Sequence, residues 1–138
     1  MKNKSFAFTI DTLEQAEKII LESNIYNLKP IFHFKSYILE GFGSDFISSF
    51  KKILYSKYGK SSFKLYVDCG YDHGLCISMI TKNIDYIKLK GNKVILYKIR
   101  NLATKNRVLL NHSFNIVDCR NRKNIKKKMK EICLKGIK

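Results

Sequence analysis

Short apolar runs alternate along this chain with longer stretches whose apolar residues recur every three or four positions. The runs are FAFTI (6–10), PIFHF (30–34), FKLYV (63–67), YIKLK (86–90) and VLLNH (108–112). Runs of that length, bounded by turn residues, predict strands. Pro30 suits the first position of its strand and would be wrong inside it. The periodic stretches predict helices. Residues 11–23 place Leu13, Ala16 and Ile20 on one face, and Thr12 with Gln15 has capping-box spacing. A turn and helix over 41–59 offers Phe46, Phe50, Ile53 and Leu54, with Ser44 as N-cap and Asp45 complementing the helix dipole. Residues 74–83 align Leu75, Cys76, Met79 and Ile80. Residues 92–106 are ambiguous, because KVILY alone fits a strand. A parallel pair needs a crossover there, which favours a helix through Ile95, Ile99, Leu102 and Ala103. A last helix from about 121 to 134 turns Ile125, Met129, Ile132 and Cys133 to the core.

Five βα units with short connections predict an α/β fold with a parallel sheet, half-barrel-like or flavodoxin-like. With 138 residues and no linker, the chain reads as one domain, 1–138, with a basic C-terminal helix at about 120–138. No window approaches about 18 uncharged apolar residues, so no membrane insertion is expected. The apolar run at the N-terminus stops at Asp11, too soon for a signal peptide, and the expected compartment is the cytoplasm.

Charge changes this picture in one place. The net charge is +16, with 23 Lys against 4 Arg. Lys, Ile, Asn, Phe and Tyr are encoded by AT-rich codons, so biased composition explains much of the lysine. Residues 120–138 nevertheless carry nine basic residues and one acid, half of the net charge. Arg120, Arg122, Lys126, Lys127 and Lys130 form a candidate polyanion-binding set, with nucleic acid or an acidic protein as partner. A solvated cationic face is the plainer reading. Tyr55, Tyr58 and Tyr66 could stack bases, although such residues more often pack half-buried.

The densest candidate chemistry is VDCGYDHG (67–74), at the end of the third strand. Ligands of parallel α/β folds sit beyond the C-terminal strand ends. Other strand ends supply His33, Lys35 and Ser36, then Lys88 and Lys90, then Asn111 and His112. A ligand site would draw on Ser36, Asp68, Cys69, His73 and His112. Zinc is conceivable through Cys69, His73 and His112 with Asp68 or Asp72, but C-x₃-H is not a strong zinc spacing. Cys69 near a helix start could act as a nucleophile with a histidine base. Against these stands the plain reading, in which cysteine and glycine end a strand and His73 caps the entrance of a helix or is exposed there. No CxxC pair occurs among Cys69, Cys76, Cys119 and Cys133, so they read as small buried residues without disulfides. No cofactor is expected. Gly41-Phe42-Gly43 and Gly70 with Gly74 permit anion binding at helix starts but match no phosphate motif.

LYVDCGYDHGLCISMITKNIDYIKLKG (65–91) resembles one part of the class II, zinc-dependent fructose- and tagatose-bisphosphate aldolases, whose barrels carry a strand ending in Asp-His-Gly, a helix, and a strand ending near Asp-Gly. The same stretch is similar to small alphaproteobacterial α/β proteins of unknown function. In the aldolases the Asp is a catalytic acid and the His a zinc ligand. With the strand end as register, Asp68 takes the Asp position and Cys69 the His position; a literal Asp72-His73-Gly74 lies four residues on. Lys90 stands before Gly91 where the family has an acid. The resemblance implies barrel-like architecture, and the departures predict that aldolase chemistry is absent. The expected function is therefore a small ligand-binding or regulatory domain, with Asp68 and Cys69 as the catalytic candidates if it is an enzyme. The open edges of an incomplete barrel would favour a homodimer. The alternative is a polyanion-binding adaptor.

Overall fold

The computed structural model describes residues 5–43, 45–120 and 124–136. The order is β1 (Phe6–Thr9), α1 (Leu13–Ile25), β2 (Ile31–Phe34), α2 (Ser36–Phe42), α3 (Asp45–Tyr58), β3 (Lys64–Asp68), α4 (His73–Thr81), β4 (Tyr86–Lys88), α5 (Lys93–Lys105), β5 (Leu109–Leu110), β6 (Asn115–Asp118) and α6 (Ile125–Gly136). All strand pairs are parallel, in the order β5-β4-β3-β2-β1-β6.

Local chemistry sets the elements. Thr12 and Gln15 close the capping box that opens α1. Asp72 caps α4 and Asn92 caps α5, each accepting from the backbone N–H three residues on. The segment 92–106 is a helix, as the crossover argument requires. Ser44, the expected cap of the 41–59 helix, lies outside the described residues.

The helices supply one layer. Ala16, Ile38, Ile47, Met79, Ile99 and Met129, one from each helix, share a single buried cluster with Phe8, Phe32, Phe34, Leu65, Val67, Ile87 and Val117 of the strands. The opposite sheet face buries the apolar Ala7, Ile31 and Tyr66, with Tyr86 and Phe114 packed against them, and the polar Thr9 and His33. One-sided helices and a sequential order from β1 to β5 are the half-barrel arrangement and exclude the doubly wound alternative.

Four expectations need correction. The fifth run, 108–112, pairs only at Leu109–Leu110. A sixth strand, Asn115–Asp118, follows without an intervening helix and docks beside β1. A short helix, α2, lies between β2 and α3. Ile53, placed on the buried stripe of α3, is 47% exposed, and Ile47 takes its place.

The connection from β5 to β6 dictates the sheet's shape. These strands lie at opposite edges, five strand spacings or about 24 Å apart in a flat sheet. The five residue steps from Leu110 to Asn115 reach at most about 18 Å. The sheet must therefore curl, and 111–114 crosses its concave face as a strap. Asn111 anchors one end: its side chain accepts from Leu89 N at 2.8 Å and donates to Leu89 O at 3.0 Å. Phe114 anchors the other, its ring centroid 4.9 Å from that of Tyr66 and 4.8 Å from that of Tyr86.

Candidate functional site

Strand parity decides which side chains meet on the concave face. The register aligns Leu109, Tyr86, Tyr66, His33, Thr9 and Asp118 in one row across all six strands. One pleat nearer the C-terminal rim, Asp68 aligns with Lys88. Residues of opposite parity, among them Leu65, Val67, Cys69, Ile87, Leu89 and Cys119, lie in the helix-side core. The concave face is thus apolar at its floor and charged at its rim.

His33 sits at the centre of the row. Its Nδ1 and the Thr9 hydroxyl are hydrogen-bonded at 2.7 Å, and its ring lies 4.7 Å from that of Tyr66. Burial pushes its pKa down to about 4; Asp68 opposes the shift, and Lys35, Lys88 and Arg120 add to it. The imidazole is therefore neutral at pH 7, within the field of three cations and one carboxylate. Burial, aided by Asp68, pushes the Tyr66 hydroxyl up to about 12 and keeps it protonated.

At the β6 end of the row, Arg120 grips Asp118 through Nε at 3.0 Å and Nη2 at 2.7 Å and donates to the Tyr37 hydroxyl. This contact holds the Asp118 carboxyl down at about 2. Arg120 is thus a strand-end residue tied to Asp118, not a member of the C-terminal helix surface. Arg122 lies outside the described residues. Lys126, Lys127 and Lys130 are exposed on α6 as expected. Tyr55 and Tyr66 are no open stacking platforms: Tyr55 packs on Phe63 and Tyr66 lies under Phe114.

A cleft of about 540 Å³ opens between the strap and the loops after β3 and β4. Lys88, Lys90, Tyr71, His112 and Ser113 line its polar part, Tyr66 and Phe114 its floor, and no lining residue is acidic. Of the predicted ligand residues, only His112 lines this cleft. Asp68 stands at the rim, where its Oδ1 accepts from Gly70 N at 2.9 Å. Ser36 opens α2, beyond Lys35.

Cys69 requires the main correction. It follows Asp68 directly, so it faces the helices, 1% exposed. A hydrogen bond with Cys76, followed by burial, pushes its thiol up, which disfavours the thiolate, and the side chain does not line the cleft. His73 is also misplaced as a ligand: its Nε2 is buried without a hydrogen-bond partner, 3.2 Å from where a Cβ on Gly91 would lie. Cys69, His73 and His112 therefore do not converge. Among the described residues no group of three His, Cys, Asp or Glu side chains can hold a metal ion. The zinc ligand set implied by the aldolase resemblance does not fit: β3 ends at Asp68, as that register requires, but the following position points away. No described helix is long and apolar enough to cross a membrane.

Thr9, Tyr37, Tyr66, Asp118 and Phe114 were not anticipated as a constellation. Parity marks Thr9 and Tyr66, since positions 7, 9, 31, 33, 66 and 68 alternate with the apolar residues that face the helices; Tyr37 on α2 and Phe114 in the strap carry no such signal.

No family model matches the chain, and no curated protein does. Among solved structures, the fold is similar to that of a candidate fructose-1,6-bisphosphate aldolase from Coccidioides immitis. The TM-score is 0.62 at 10% sequence identity, covering 78% of this chain and 44% of that one. The likeness establishes an aldolase-like α/β fold, and the chain spans less than half of the protein it matches.

Proposed function

We propose that the chain is a ligand-binding domain built on part of an aldolase-like barrel, and that it binds a small anion in the cleft over its concave face. One observation carries the reading: Lys88 and Lys90 line a cleft without a carboxylate. Lys35 and Arg120 add positive potential at the same strand ends, as their effect on His33 indicates. In a concave site with low-dielectric walls such a field favours anions more than it would on an open surface. The protonated Tyr66 hydroxyl, in the cleft lining, offers a polar group without opposing charge. Asp68 beside Lys88 and Asp118 paired with Arg120 moderate the field at the rim, outside the cleft lining.

The test is titration of the full chain with inorganic phosphate, followed by NMR. Resonances of Lys88, Lys90 and His112 should shift together, and Lys88→Met with Lys90→Met should weaken binding at least tenfold. Shifts spread evenly over surface lysines, unchanged in the double variant, would reject the reading.

A second reading, a polyanion-binding adaptor, is favoured by the exposed Lys126, Lys127 and Lys130 on α6. It requires affinity for single-stranded RNA to fall with log salt at a slope near −2, about −0.7 per contacted phosphate for three lysines.

A further inference from the structure

We infer, resting on the anion reading above, that the ligand carries a planar ring beside its anionic group, as a nucleoside monophosphate does. Lysines alone would suffice for a phosphate. This cleft adds aromatic surface that the fold does not use. Tyr71 is 72% exposed at the mouth. The hydrogen bond from Lys90 N to Gly70 O, 2.7 Å, ties the loops after β3 and β4 together. It sets Lys90 Nζ 5.8 Å from the Tyr71 ring centroid. A cation and an open ring face are thereby held side by side.

The strap supplies the second aromatic element. Tyr66, Phe114 and His112 form a ladder with centroid separations of 4.9 Å at each step. It climbs from the buried floor to an exposed imidazole in the cleft wall. The His112 ring rests on Phe114 and Tyr86 and is exposed in the cleft wall, as Tyr71 is at the mouth, so both offer ring surface on which a base can stack. A cleft of about 540 Å³ lies within the range of small-molecule sites.

The arrangement also fixes how selective the site is. Asn111 commits both the carbonyl and the amide of its side chain to Leu89. No free carboxamide therefore reads the edge of the ring. Stacking is tolerant of base identity and grows with ring area, so purine nucleotides bind ahead of pyrimidine nucleotides by a modest factor.

The experiment is calorimetric titration of the full chain with AMP, ribose 5-phosphate, inorganic phosphate and adenosine. AMP should bind at least tenfold more tightly than ribose 5-phosphate. Tyr71→Ala, an exposed position whose thermal melt should be unchanged, should weaken AMP more than ribose 5-phosphate and so remove that advantage. Equal affinities for AMP and ribose 5-phosphate, both weakened by Lys88→Met, would overturn the ring and leave the anion reading standing. Adenosine binding as tightly as AMP would overturn the anion, and binding of none of the four would overturn both.

Discussion

On β2, Phe32 and Phe34 enter the helix layer while Ile31 and His33 face the concave side. The same division runs through every strand, yet the two faces solve different problems. The helix side has a partner for each apolar residue, since all six helices close over it. The concave side has the strap 111–114, and its buried floor is a small apolar group, Ala7, Ile31 and Tyr66, beside the polar Thr9 and His33. Stability is thus concentrated on one face, and the other is left to carry charges that a packed layer would exclude. A parallel sheet that ordinarily buries both faces keeps one available for polar chemistry because its curl, rather than a second helix layer, shelters it.

The sharpest way to break this comparison is to empty the helix side. Phe32 is fully buried and touches the rings of Phe50 and Phe63, with centroids 6.2 and 5.6 Å away. Phe32→Ala should cost about 3–5 kcal/mol, read as a lower urea midpoint at unchanged slope. Ile116→Ala, on the concave side and 46% exposed, should cost under about 1 kcal/mol. Equal losses would mean that the strap side is as tightly packed as the helix side.

His33 tests the concave face by pH. Its folded pKa, about 4, lies below the ordinary 6.5, so protonation favours the unfolded chain. The contribution is intact above pH 6.5, is lost as pH falls toward 4, and is then constant. The shift corresponds to at most about 3 kcal/mol. Urea unfolding at pH 7 and pH 4.5 should show a loss in wild type that His33→Gln reduces by about 2 kcal/mol. A variant with the wild-type acid sensitivity would place the titrating group elsewhere.

Much of this division was legible in the residues. Periodicity located five strands and five helices, and the apolar helix faces are the buried ones, with Ile53 the exception. What escaped has physical causes. FNIVD is short, and its strand Asn115–Asp118 buries only Val117, so no apolar run marks it. It also breaks the βα rhythm, because β5 leads to it without a helix. The helix SYILEGF spans seven residues, too few for a clear repeat. For the site, position along the chain and parity point to different groupings. Asp68 and Cys69 both lie at the end of β3, yet consecutive strand residues point to opposite faces. By charge Arg120 goes with the last helix, whereas the bidentate contact with Asp118, two residues earlier, keeps it at the end of β6.

That neighbouring pair provides the finest test of the two faces. Cys69 is 1% exposed among apolar side chains, with Cys76 as its hydrogen-bonding partner. Cys69→Ser replaces a weakly polar thiol by a hydroxyl that must stay buried, and should cost about 1–3 kcal/mol. Asp68, one residue earlier, is only half-buried and engages the Gly70 N–H through one oxygen. Asp68→Asn keeps that acceptor and should change stability by less than about 0.5 kcal/mol. It also removes the one negative charge that opposes the depression of the His33 pKa, so the imidazole should titrate at still lower pH, visible as a shift of its NMR midpoint. A large cost for Asp68→Asn with no movement of His33 would mean that Asp68 serves the fold rather than the rim. A small cost with a moving midpoint ties it to the charged face, one residue from a core to which it does not belong.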